Sequence, residues 1–134
     1  MTSASAMRAV DTNVLVRLLA RDDPKQTAAA EPFVVNGAWI SHIVLVETIW
    51  VLTSVYERDP QQIANAIALL LDHETLVVQD QDVVVRALAH LRKKPSLGFS
   101  DCLILESARK AGHLPLGSFD RGLARLDDVV KLKA

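Results

Sequence analysis

The chain has 134 residues and a formal net charge of −1, with 50% hydrophobic residues and only 4% aromatic ones. That is one domain's worth of chain, able to bury roughly two-thirds of its unfolded surface, and its charge offers no bulk attraction for a polyanion or a membrane surface. The single cysteine, Cys102, excludes an intrachain disulfide, and nothing resembles a zinc cluster, so a reducing cytoplasm is the expected compartment.

In chain order, the leader MTSASA at 1–6 has neither basic residues nor an apolar run; it reads as a disordered extension rather than a signal or anchor, leaving the domain at 7–134 and Met7 as a candidate start. Short apolar runs at 7–10, 38–41, 75–79, 114–118 and 129–132 predict strands. Between them, Thr12–Ala20, Pro24–Asn36, His42–Tyr56, Pro60–His73, Asp82–Lys94, Ser100–Ala111 and a short Arg121–Leu126 predict helices. Pro24 and Pro60 each follow an aspartate, the cap-then-proline signal of a helix start, and Gly112 follows Lys110 as a helix stop should. Pro32 is the exception: an interior proline costs about 3 kcal/mol, so a kink or an early end is expected there. Alternating strands and helices, with a core of Val, Leu, Ile and Ala, predict an α/β fold whose buried parallel sheet is covered on both faces and binds ligands beyond the carboxyl ends of its strands.

Four acids stand where such a fold does not need them. Asp11, in RAVDTNVLVRLL, separates an apolar strand from an apolar helix; it serves either as an N-cap worth about 1 kcal/mol or as a functional carboxylate. Glu47, in HIVLVETIWVL, lies in a helix apolar on nearly every face, which reads as buried, so its carboxylate must meet a cation, a donor or a cleft mouth, or a structural arginine. Asp101 opens SDCLILESARKAG, where the helix dipole alone favours an acid, and Asp120 follows a strand in LGSFDRGLARL. Asp11 and Asp120 thus stand past the ends of two strands, with Asp101 and Glu47 in helices able to close over the same edge. Four carboxylates in one cleft raise one another's pKa unless divalent cations neutralise them, and without a Cys or His set the hard cations Mg²⁺ or Mn²⁺ are the economical answer.

VDTNVLVRLL, VETIWVL, FSDCLILESARKAG and SFDRGLARL occur in the order and approximate spacing of the PIN domain, and the chain from Met7 onward resembles the VapC-type toxins of bacterial toxin–antitoxin pairs. The resemblance implies a three-layer α/β/α sandwich with a central parallel sheet and a metal-dependent ribonuclease with Asp11, Glu47, Asp101 and Asp120 as its acidic site. Asp11, Glu47 and Asp101 would be the principal ligands, with Asp120 holding a second ion or orienting water. Thr12 or Asn13 and Ser118 match the small polar positions that accompany the acids. Two ions about 3.5–4 Å apart would drive phosphodiester hydrolysis to 5′-phosphate and 3′-hydroxyl ends. The resemblance further implies a homodimer and a VapB-type antitoxin that lays an amphipathic segment across an apolar groove and drives a basic side chain into the acidic site. Pro32 and Gly122 are less usual for the family.

Other residues carry weaker signals. His42, His73, His90 and His113 lack the spacing of a zinc hydrolase and read as structural or solvated. The RKK run at 92–94 could grip RNA phosphates or simply answer a helix dipole, while Arg17, Arg21, Arg121 and Arg125 are candidates for contact with RNA or an acidic antitoxin segment. The helix from 42 and the run IANAIALLL at 63–71 carry more apolar surface than one small sheet covers, which points to an interface. Two rivals compete with a nuclease. A Mg²⁺-dependent phosphoacceptor domain would want adjacent acids where Asp11-Thr12-Asn13 stands, and a lysine near the last strand; a non-catalytic PIN module would have no need of all four acids.

Overall fold

The computed structural model describes residues 7–134, so the extension assigned to 1–6 lies outside them. In order the elements are β1 (Arg8–Ala9), α1 (Thr12–Ala20), α2 (Pro24–Val34), β2 (Ala38–Ile40), α3 (His42–Ser54), α4 (Pro60–Asp72), β3 (Leu76–Val78), α5 (Gln81–Lys93), α6 (Phe99–Ala111), β4 (Leu116–Ser118), a 3-10 turn (Leu123–Arg125) and β5 (Val129–Lys131). The chain divides into two compact units between Gln81 and Asp82.

In the first unit the strands pair in parallel in the order β1-β2-β3, with Ala9 beside Trp39 and Trp39 beside Val77. Strand alternation sends Ala38, Ile40, Leu76 and Val78 into the core. α1 packs against α2 and α3, and α4 against β3 and α3. In the second unit β4 and β5 pair in parallel, Gly117 beside Val130. The buried residues Val83, Val84, Ala87, Leu88 and Leu91 form one stripe of α5 at helical spacing, and Cys102, Leu103 and Leu105 are buried on α6. Every ladder is parallel, as the alternation of elements predicts.

Helix starts follow the side-chain chemistry. Asp11, Asp23, Ser41 and Asp59 each accept a hydrogen bond from the backbone N–H three residues on, and Asp59 completes a reciprocal box with Gln62. α2 runs through Pro32 but ends at Val34, two residues short of the predicted Asn36, where the Gly37 N–H, on a residue with a φ of 107°, donates to the Val34 carbonyl at 2.9 Å and closes a turn. The short helix expected at Arg121–Leu126 is a single 3-10 turn.

One expectation is overturned. α3 is not a buried helix: Leu45, Thr48, Ile49 and Leu52 face inward, while Ile43 and Trp50 are 73% and 65% exposed and Glu47 is exposed on the same side. An apolar pattern all round a helix carries no polar stripe to mark which face packs.

Candidate active site

In the first unit Asp11 directly follows β1, whose outgoing Val10 N–H donates to the Trp39 carbonyl at 3.2 Å. Asp11 Oδ1 accepts from Val14 N at 3.1 Å and so fixes the carboxylate to the start of α1. Its other oxygen makes no hydrogen bond among the described residues. Asp11 is therefore a helix cap through one oxygen and keeps the other uncommitted among the described residues. One turn edge further, the Thr12 hydroxyl donates to Glu47 Oε1 at 3.1 Å, which ties α1 to α3. Glu47 meets its donor at the protein surface, not in the core.

Asn13 and Arg17, four apart on α1, face α2 and line with Asp11 a cavity of about 330 Å³. Arg17 is committed: its Nε donates to Gln26 Oε1 at 2.6 Å and its Nη1 to Asp22 at 2.8 Å and to the Tyr56 hydroxyl at 3.2 Å. Tyr56 in turn donates to Asp22 at 2.7 Å, and this bond, with Arg17 beside it, holds the Asp22 carboxyl below its ordinary range. Arg21 ends α1 in the left-handed conformation and pairs with Glu31 at 2.8 Å. Arg121 and Arg125, in the second unit, are exposed.

In the second unit Asp101 lies in the first turn of α6, whose capping position, Gly98, offers no side chain. Burial pushes the Asp101 carboxyl above its ordinary range, and the charge of Asp120 pushes it further. Asp120 is fixed on two sides: its N–H donates to Ser118 Oγ at 3.0 Å, and its Oδ2 accepts from Leu123 N at 2.7 Å. Like Asp11, it caps a turn with one oxygen and keeps the other. The small residues beside these acids leave space: a Cβ on Gly122 would lie 3.3 Å from Asp120 Oδ2, and one on Gly98 3.9 Å from Asp101 Oδ2. Cys102, next to Asp101, is fully buried, and burial with the Asp101 charge pushes its thiol up to about 11.

Reading the sequence missed one acid. Glu106, only 2% exposed, accepts from Arg109 Nε at 3.1 Å and bonds His90 Nε2 at 2.8 Å, while Arg109 also grips Asp128. The only local signal is Arg109 three residues on, since His90 and Asp128 are distant in sequence. His42, bonded through Nε2 to the Gln79 carbonyl at 2.7 Å, and His90 both have the structural role expected of them.

Each of Asp11, Glu47, Asp101 and Asp120 offers carboxylate oxygens, the donor chemistry that suits a hard divalent cation. Within either unit, no three of His, Cys, Asp and Glu are gathered closely enough to hold a metal among the described residues. The sequence of the PIN domain family matches the chain over residues 8–129. The chain belongs to the PIN domain family. Its α/β/α fold class follows with the family, as do a nuclease-type hydrolase fold and a disposition to bind RNA; PIN domains commonly use divalent metals. No curated protein matches the chain. Among the described residues no helix is long and apolar enough to cross a membrane.

Proposed function

We propose that this PIN domain is a cytoplasmic Mg²⁺- or Mn²⁺-dependent ribonuclease, the toxin of a VapBC-type pair, with Asp11, Glu47, Asp101 and Asp120 as its metal-holding carboxylates. The observation that carries the reading is the split use of the aspartates: Asp11 and Asp120 are each pinned by one oxygen to a backbone N–H and retain the other. A carboxylate fixed in this way is oriented before it meets a cation, and preorganisation is what ligands of a catalytic ion need. Thr12 orients Glu47 by the same logic, and Ser118 holds the backbone of Asp120. A bound cation would supply charge neutralisation at the phosphate and acidify the attacking water. The acids themselves keep free anions out of the site until that cation arrives.

The partner half of the proposal rests on apolar surface. A groove of about 690 Å³ in the first unit is lined by Leu18, Leu19, Val34, Val35, Leu69 and Leu76, with Arg21 and Glu31 also on its wall. Leu69 and Val35 are 66% and 60% exposed, which suits the apolar face of an antitoxin helix. Exposed Ile43, Trp50 and Val55 on and after α3 support a second copy of the chain as a further partner.

The deciding assay is cleavage of single-stranded RNA by the purified chain with Mg²⁺, Mn²⁺ or EDTA, beside Asp11→Asn. Cleavage that survives EDTA removes the metal mechanism. Expression of the chain should arrest growth, and co-expression of the product of an adjacent small reading frame should relieve it; no arrest removes the toxin assignment and leaves the nuclease. A monomer in light scattering at micromolar concentration removes the dimer.

A further inference from the structure

We propose that the cavity between α1 and α2 beside Asp11 is a subsite for one unpaired nucleobase of the RNA, next to the phosphate that is cut; the inference rests on the ribonuclease reading. Its volume, about 330 Å³, lies at the small end of the range for ligand sites. Ala29 and Phe33 supply apolar lining, and Asn13 and Gln26 supply amides. Gln26 turns its carbonyl to Arg17, which Asp22 and Tyr56 hold in place, so its NH₂ is the group left to donate. Asn13 brings a donor and an acceptor that no described residue engages, the combination that reads the edge of a base.

The Phe33 ring is fixed in place by Arg8. The Arg8 guanidinium lies 3.8 Å from the ring centroid, and its Nη2 donates to the Phe33 carbonyl at 3.1 Å, which fastens β1 to the last turn of α2. Unpaired RNA bases are held in this manner, by a ring or guanidinium plane with hydrogen bonds at the base edge. An apolar peptide side chain would use only the apolar lining and leave both exposed amides to water, so a base suits the lining better. Asp11 lines the same cavity, so a base seated there is adjacent to the first acidic motif.

The test is to map the cuts made in a mixed-sequence single-stranded RNA by wild type, Asn13→Ala and Ala29→Leu. Ala29 is exposed on α2, so leucine there fills the cavity and removes no polar contact. Wild type should favour one base at a fixed position beside the cut by about tenfold or more, and both variants should lose that preference at little change in melting temperature. In a binding arm, an abasic nucleotide at that position should weaken binding to Asp101→Asn by about tenfold and leave binding to Asp101→Asn/Ala29→Leu unchanged. Preference retained in both variants, or an intact and an abasic RNA bound equally by Asp101→Asn, overturns the subsite alone. No cleavage by wild type overturns the ribonuclease reading and the subsite with it.

Discussion

The Thr12 hydroxyl donates to Glu47 Oε1 at 3.1 Å, so the first residue of α1 aims a carboxylate that projects from the exposed side of α3. Because both partners reach water, the bond contributes little to stability, about 1 kcal/mol or less. Its effect falls on orientation. Thr12→Val should lower RNA cleavage about tenfold or more with the melting temperature nearly unchanged, and Thr12→Ser should restore it. A Val variant as active as wild type would show that Glu47 needs no such guide.

Substitution can separate the helix cap that Asp11 forms from the metal-holding role proposed for it. Asparagine caps a helix as well as aspartate does, whereas alanine loses about 1 kcal/mol. Asp11→Asn should therefore melt near wild type, and Asp11→Ala some degrees lower. Neither should cleave RNA, because neither holds a cation. Thermal melts beside the cleavage assay check this; an active Asp11→Asn protein would reduce Asp11 to a cap.

Asp101 sets a pH dependence. Burial, and then Asp120, raise its folded-state pKa above the ordinary 3.8, so the folded state binds this proton more tightly than the unfolded state does. The stability that protonation gives is complete below the ordinary value and is lost as pH rises through the raised one. In EDTA, Asp101→Asn should gain on wild type across that window and melt higher near neutral pH. A lower melting temperature for the variant would mean that Asp101 is stabilised by a partner rather than crowded.

Cys102 gives an independent readout of the same region. With its thiol pushed up to about 11 and no exposed surface, it holds almost no thiolate at neutral pH. A disulfide reagent such as DTNB should label it only after denaturation. Rapid labelling of the native protein would show that α6 opens readily.

The elements and their starts were readable because each follows from neighbours in sequence: Asp59, Pro60 and Gln62 announce a cap that the backbone then forms. Asp11 and Asp120 could be read as starts too, since each follows a strand and precedes a helix or turn that it caps. What required the structure was side-chain commitment over distance. Arg17 is legible as a free cation until Gln26, Tyr56 and Asp22 are seen around it. Glu47 reads as buried because α3 has no polar face, and Ile43 and Trp50 on its exposed side are invisible to periodicity.

Glu106 makes the same point with a larger energetic consequence. Its carboxylate is buried, and His90 and Arg109 meet it from α5 and from the next turn of α6. Arg109 extends the network to Asp128, whose hydrogen bond raises the guanidinium pKa first and Glu106 after it. Breaking a buried charged pair costs about 3–5 kcal/mol, and partial exposure of His90 and Arg109 puts Glu106→Ala near the lower figure. Asp128 is more exposed, at 48% of its side chain, and adopts a left-handed φ of 67° that asparagine also tolerates. Asp128→Asn should then cost less than about 1 kcal/mol. Urea titrations should show a large fall in midpoint for Glu106→Ala and a small one for Asp128→Asn, with similar slopes. Equal costs for the two variants would mean that Arg109 is held from the surface, and that the buried carboxylate contributes no more than its exposed counterpart.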